Sequence, residues 1–251
     1  MRLVVDIGNT TVHVGLAADG RILRQDRFVT TAGAAIAPFL DRFLRLRRDD
    51  IVEVGVASVQ PETLESLSRH VASLGVPLRV VGDDVPIPLT TDYGDPSTLG
   101  IDRLVDAFSV RRRFEGDRIV INFGTAVTVD AVTASGAFHS GAILPGLWMS
   151  WNSLARDAAQ LPTIASIEHG GLPTTSTEQA MVTGLLVGMA GMVDRIASRL
   201  AEAVGIECRA VATGGDAGRI AELSESIDEV VPSLTLLGIL DLLDTVETST
   251  S

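Results

Sequence analysis

Lysine is absent from this chain of 251 residues; all 20 basic residues are arginine. That excludes a Walker-type phosphate lysine, the strand lysine of protein kinases and a Schiff-base lysine. Any phosphate must be held by backbone N–H groups, hydroxyls, arginine or metal. Cys208 is the single cysteine, which rules out an intrachain disulfide and a cysteine zinc site and fits a reducing compartment. The four histidines, at 13, 70, 139 and 169, lack metal-ligand spacing, which argues against zinc. Excess positive charge is missing too. A net charge of −12 argues against nucleic acid as a partner, and the short run Arg111-Arg112-Arg113 reads as a solvated helix end. No basic N-terminal region precedes an apolar stretch, and the first apolar run stops at Asp6. No uninterrupted apolar run is long enough to cross a bilayer; the richest, around Met181 to Met192, contains Gly184, Gly188 and Gly191 and reads as a buried helix. The expectation is a soluble cytoplasmic protein with neither membrane nor nucleic acid as a partner.

What is present is a repeat. Leu3-Val4-Val5-Asp6-Ile7-Gly8-Asn9-Thr10-Thr11-Val12 is followed by a turn at Gly20, and Ile119-Val120-Ile121-Asn122-Phe123-Gly124-Thr125-Ala126-Val127-Thr128 by a turn at Gly136. Gly8 to Gly124 and Gly20 to Gly136 both span 116 positions. In each copy an apolar strand delivers Asp or Asn to a glycine turn carrying hydroxyl residues. Glycine allows close backbone approach, and Asn9, Thr10 and Thr125 can aim N–H and hydroxyl donors at phosphate. Two such turns facing each other would form a pincer for a nucleotide triphosphate. Asp6 suits a Mg²⁺ ion held through water, because this ion keeps several waters beside few carboxylates. Asn122 either contributes an amide to the site or only caps its turn.

The hydrophobic periods give β-β-β-α-β-α-β through Val81, a polar loop over 85–98, and a helix from Ile101 to about Arg113. A second strand set follows over 118–144, then helices through Leu154 and over 177–204. A strand at 208–212, a helix from Gly214-Gly215 to about Ser224, a short strand at 230–231 and a last helix over 234–246 complete the pattern. Ala32 to Leu46 also has helical spacing. The predicted class is α/β, with lobes at 1–114 and 115–251.

Outside the repeat, Gly100-Ile101-Asp102-Arg103 follows the polar loop. Asp102 falls in the first turn of a helix, where a carboxylate is at home with the dipole. A carboxylate that accepts a hydroxyl proton is also what kinase chemistry requires. Thr213-Gly214-Gly215-Asp216 joins a strand to a helix, with room for a flat ring against the backbone. Trp148 and Trp151 share a helix face as core or interface.

Taken in order, these motifs, with Tyr93, Gly141…Pro145-Gly146, Ser176-Thr177…Ala180 and Val231-Pro232…Leu236…Gly238, resemble the type III pantothenate kinases almost end to end. That family has two duplicated actin-like, ribonuclease-H-like lobes with the nucleotide cleft between them. The resemblance implies phosphorylation of pantothenate by ATP with Mg²⁺, the first step toward coenzyme A, by a homodimer, with helix 177–204 as the candidate interface. It makes Asp102 the catalytic base. Asp6, Ile7, Gly8, Asn9, Thr10, Thr11, Val12, His13 and Thr125 become the phosphate contacts, and Gly214 and Gly215 the adenosine turn. Tyr93, Gly100, Ile101, Asp102, Arg103 and Thr177 become the pantothenate pocket. It also places a monovalent cation, K⁺ or NH4⁺, at position 122, where the family carries Asp; Asn122 keeps one oxygen and loses the charge. Ser176 stands where Asn is usual. Two alternatives follow: a catalytically weak nucleotide-binding regulatory relative, motivated by Asn122, and a kinase of the same fold acting on another small substrate.

Overall fold

The computed structural model describes residues 1–29, 36–44, 50–157, 161–162 and 171–248. Six-residue β1 (Arg2–Ile7) is almost wholly apolar because it lies inside a sheet covered on both faces. It pairs antiparallel with β2 (Thr11–Ala18), which pairs with β3 (Arg21–Val29). On its other side β1 runs parallel to β4 (Glu53–Ser58), and β4 to β5 (Leu78–Val80). The sheet order is β3-β2-β1-β4-β5. Helices α1 (Ala37–Leu44) and α2 (Pro61–Leu74) cover one face, burying Leu40, Phe43, Leu67 and Val71 against Leu3, Val5, Val12 and Val14. α2 starts at Pro61, whose missing N–H costs nothing at a helix start, and ends on left-handed Gly75. The rest of the predicted helix Ala32 to Leu46 lies outside the described residues.

The second sheet repeats this order. β7 (Arg118–Phe123), β8 (Ala126–Val132) and β9 (Ala137–Pro145) are antiparallel neighbours; β10 (Ala210–Gly214) and β11 (Ile227–Val230) run parallel to β7. The order is β11-β10-β7-β8-β9, with β6 (Thr90–Thr91) added at the edge. The 28-residue α5 (Thr177–Val204) packs on it with α4 (Leu147–Asp157), burying Val182, Leu186, Met189 and Val193 against Ile119, Ile121 and Val129. By length and composition α5 could cross a membrane, a property the interrupted apolar pattern had argued against. Its buried stripe makes it the core helix of this unit. Trp151 is buried in the same core while Trp148 is largely exposed, their rings 5.5 Å apart.

Two compact units result: residues 1–90, 94–109 and 233–251, and residues 91–93 with 110–232. The expected division at 114/115 therefore differs in two places. The boundary falls inside α3 (Ile101–Arg113), between Ser109 and Val110. The last helix, α7 (Leu234–Thr248), belongs to the first unit: Leu236, Ile239 and Leu243 cover Val4, Ala17 and Ala57, on the sheet face opposite α1 and α2.

Register refines the repeat. Ile7 pairs with Val12 and Phe123 with Val127, so the first phosphate turn has four residues and the second three. The return turn has two residues in the first copy, 19–20, and four in the second, 133–136. The equal spacing of 116 survives because the strand between the turns is also one residue shorter in the second copy, seven residues in β8 against eight in β2, so that the three changes cancel. Thr128, which pairs with Asn122, thus stands where His13 pairs with Asp6.

The helix after Gly215 is shorter than expected: α6 spans only Ala217–Ala221. The next residues bond to Asp194 of α5 instead of extending it. Its carboxylate accepts from Ser224 Oγ (2.5 Å), Ser226 Oγ (2.7 Å), Glu225 N (3.0 Å) and Ser226 N (3.1 Å). Burial pushes the Asp194 carboxyl up, and these bonds outweigh it and hold the group below its usual range. The neighbouring strands also shift from their expected spans, to Ala210–Gly214 and Ile227–Val230.

Candidate active site

In the first unit the sheet carries a polar row at the end of β1. Asp6 pairs with His13, and His13 with Arg27 on β3. Directly opposed residues of antiparallel strands share a face, here the one covered by α7 further along. Burial, then the Arg27 charge, pushes the His13 imidazole below its ordinary value. The turn beyond Asp6 is closed by Gly8 N–H donating to Thr11 O at 3.0 Å, and leaves Asn9 and Thr10 exposed at its tip.

The Asp102 carboxylate lies in the first turn of α3, where Oδ1 accepts the Arg103 N–H at 3.0 Å. Glycine at position 100 makes room for this: a Cβ there would stand 2.6 Å from Asp102 Oδ1, and the carboxylate would have to shift. Burial raises the Asp102 carboxyl; the bond and charge of Arg103 offset only part of that. One turn on, buried Asp106 accepts from Thr235 Oγ1 at 2.7 Å and ties α3 to α7. Asp6 feels all of this. Burial, then the charges of Asp102 and Asp106, raise its carboxyl well above the ordinary carboxylate range. Three carboxylates thus concentrate negative charge beside a turn of exposed donors. Among the described residues no cluster of acidic, histidine or cysteine side chains forms a metal cage. That donor set fits Mg²⁺ brought with phosphates and retaining water, and does not fit a metal held by protein alone.

In the second unit the phosphate turn is wedged between two glycines. A Cβ on Gly146, just before α4, would lie 2.4 Å from Thr125 O, and Gly146 N–H donates to that oxygen at 3.0 Å. Gly214 at the end of β10 has φ +96°, and a Cβ there would lie 2.4 Å from Phe123 O. Gly124 and Thr125 remain exposed at the tip, as does Gly215. Asn122 sits in a row with buried Thr213 on β10 and Thr128 on β8. One amide and two hydroxyls give this position neutral oxygens and no carboxylate.

The structure thus gathers Asp6 to His13 and Gly100 to Arg103 in the first unit, with Arg103 buried. Asn122, Thr125, Gly214 and Gly215 come together in the second. Tyr93, half-buried, and Thr177, exposed as the first residue of α5 beyond the Ser176 N-cap, also belong to the second unit. Sequence reasoning missed Asp106, whose signal was its i, i+4 spacing from Asp102. It also missed Gln60, a polar residue directly before a helix-opening proline.

The sequence model of the type III pantothenate kinases matches residues 2–199. A type III pantothenate kinase of Syntrophotalea carbinolica is 36% identical over 249 residues, 95% of this chain and 96% of its own length. The chain belongs to the type III pantothenate kinase family. Solved structures of far lower identity share its fold. The activator of 2-hydroxyisocaproyl-CoA dehydratase from Clostridium difficile, with bound ADPNP, matches at TM-score 0.57 and 16% identity, over 99% of this chain and 96% of that one. A polyphosphate/ATP-glucomannokinase from Arthrobacter matches at 0.51 and 15%, over 97% and 98%. These neighbours share the α/β fold of the family member. Its duplicated sheet order agrees with that architecture.

Proposed function

We propose that this family member transfers the terminal phosphoryl group of ATP to the hydroxyl of pantothenate, giving 4′-phosphopantothenate and ADP. The observation that carries the reading is Asp102. It is a largely buried carboxylate at a helix start, in a unit that also presents an exposed glycine turn of phosphate donors. Asp102 accepts the hydroxyl proton as the oxygen attacks, and Arg103, Gly100, Ile101, Tyr93 and Thr177 bind the rest of pantothenate. The Asn9 and Thr10 turn and Thr125 hold the phosphates, and Gly214-Gly215 borders adenosine. Mg²⁺, when bound with ATP, neutralises charge on the phosphoryl oxygens; Asp6 is the residue to hold it through water. A homodimer through α5 belongs to the same reading. Gly184, Val187, Gly188, Gly191 and Met192 lie exposed along that helix. An assay of ADP release tests the proposal: turnover should require pantothenate. Release at the same rate without pantothenate would remove the substrate assignment.

The neutral row Thr213–Asn122–Thr128 makes a second expectation. Asn122→Asp restores a carboxylate, and opposite charges about 4 Å apart attract by roughly 1–4 kcal/mol between water-like and surface dielectric. The variant should gain K⁺ dependence in a titration of rate against KCl, with NaCl holding ionic strength. Identical K⁺ responses in variant and parent would show that position 122 does not govern the cation.

A further inference from the structure

Gln60 occupies the N-cap of α2, a position that favours Ser, Thr, Asp or Asn because their short side chains bond the first free N–H groups. Gln60 makes no such bond. Its amide Nε2 instead donates to Gly8 O at 2.9 Å and Asn9 O at 2.5 Å, across to the first phosphate turn. Oε1 accepts from Thr63 Oγ1 at 2.9 Å, and Thr63 is fully buried. This fixes which end of the amide faces the turn. The backbone of Gln60 is held as well: Ser58 Oγ accepts its N–H at 3.1 Å. Gln60 is 8% exposed, so these bonds have little competition from water.

The consequence follows from peptide geometry. A trans peptide is planar, and its C=O and N–H point in opposite directions. With the carbonyls of Gly8 and Asn9 fixed on Gln60, the N–H groups of Asn9 and Thr10 must face away from it, toward the exposed side of the turn. Two consecutive peptide planes are thereby locked with their donors outward, which is the arrangement that binds an anion. We infer that Gln60 is a positioning residue for ATP: it clamps two peptides of the first phosphate turn so that the Asn9 and Thr10 amides are set for phosphate before the nucleotide arrives. The inference rests on the kinase reading above and adds the residue that orders its first loop.

Gln60→Met keeps the length and removes both donors. Gln60→Glu keeps the shape and sets a carboxylate against two carbonyl oxygens. The KM for MgATP should rise about tenfold in the first and further in the second, while the KM for pantothenate stays within about twofold. Without any nucleotide, hydrogen exchange at the Gly8 amide should quicken about tenfold in both variants, with Val5 and Val14 unchanged. A role confined to stability would instead lower the melting temperature and leave the KM for MgATP of the folded enzyme at the parent value. That result, or unchanged exchange at Gly8, overturns the clamp. Should the parent chain release no ADP with pantothenate, the kinase reading fails and the positioning role with it, even if exchange at Gly8 responds.

Discussion

Asp102→Asn should lower kcat by roughly 10²- to 10⁴-fold, the range that a positioned general base contributes. The substitution is nearly isosteric. Asn Oδ1 can still accept the Arg103 N–H that Asp102 accepts at 3.0 Å, so the start of α3 is preserved. Binding should therefore survive: the KM for pantothenate should stay within a fewfold. MgATP binding should not weaken, because the variant removes one of the two charges that raise the Asp6 carboxyl. Initial rates by ADP release, with both substrates varied, separate the two effects. A second readout comes from pH. Asp102 must be ionised to take a proton, and burial has raised its carboxyl, so kcat should fall as pH drops through that raised value. This acid limb should lie above the value of about 3.9 for an unperturbed Asp and should vanish in Asp102→Asn. An equal rise in both KM values with kcat unchanged would make Asp102 a binding residue.

The legible part of this site was legible for physical reasons. An Asp or Asn delivered by a buried strand to a glycine turn is a local pattern, so Asp6 and Asn122 could be seen, and their recurrence fixed the doubled sheet. The longest helix, with its strong period, came out with the right ends, as α5 at Thr177–Val204 shows. What the pattern hid depends on contacts across the chain. Gln60 reaches 52 residues back to Gly8, and Thr235 reaches 129 back to Asp106; neither has a local signature. The return of α7 to the first sheet was invisible for the same reason: an apolar helix does not announce which sheet it covers. The end of α6 was lost because Asp194, on another helix, draws Ser224 and Ser226 away from helical bonding. Equal glycine spacing even concealed an asymmetry, since the shorter second turn is masked by a longer return loop.

That asymmetry sets the second large expectation. The first turn has four residues and a side-chain clamp from Gln60; the second has three and is shaped by backbone crowding at Gly146 and Gly214. Gly214→Ala should be among the most damaging single substitutions in the second unit. Its φ of +96° is a conformation that alanine adopts only with strain, roughly 1–3 kcal/mol. The added Cβ would also fall 2.4 Å from Phe123 O, 2.5 Å from Phe123 C and 2.7 Å from Phe123 N. These are backbone atoms of a central strand, so no side-chain rotation relieves the overlap. β10 must separate from β7 where Gly214 pairs with Phe123, one residue before the Gly124–Thr125 turn. A loss of about 3 kcal/mol or more is expected. For a chain of this size that is a fall in melting temperature of roughly 6–12 °C. Nucleotide binding should weaken more than pantothenate binding, because the displaced turn belongs to the proposed phosphate site. Calorimetric titration with ATP and with pantothenate on the folded variant tests that split. Gly218→Ala serves as the control, since a Cβ at Gly218 meets nothing within 4 Å. If Gly214→Ala melts with the parent, the close approach of β10 to the second turn does not hold in solution.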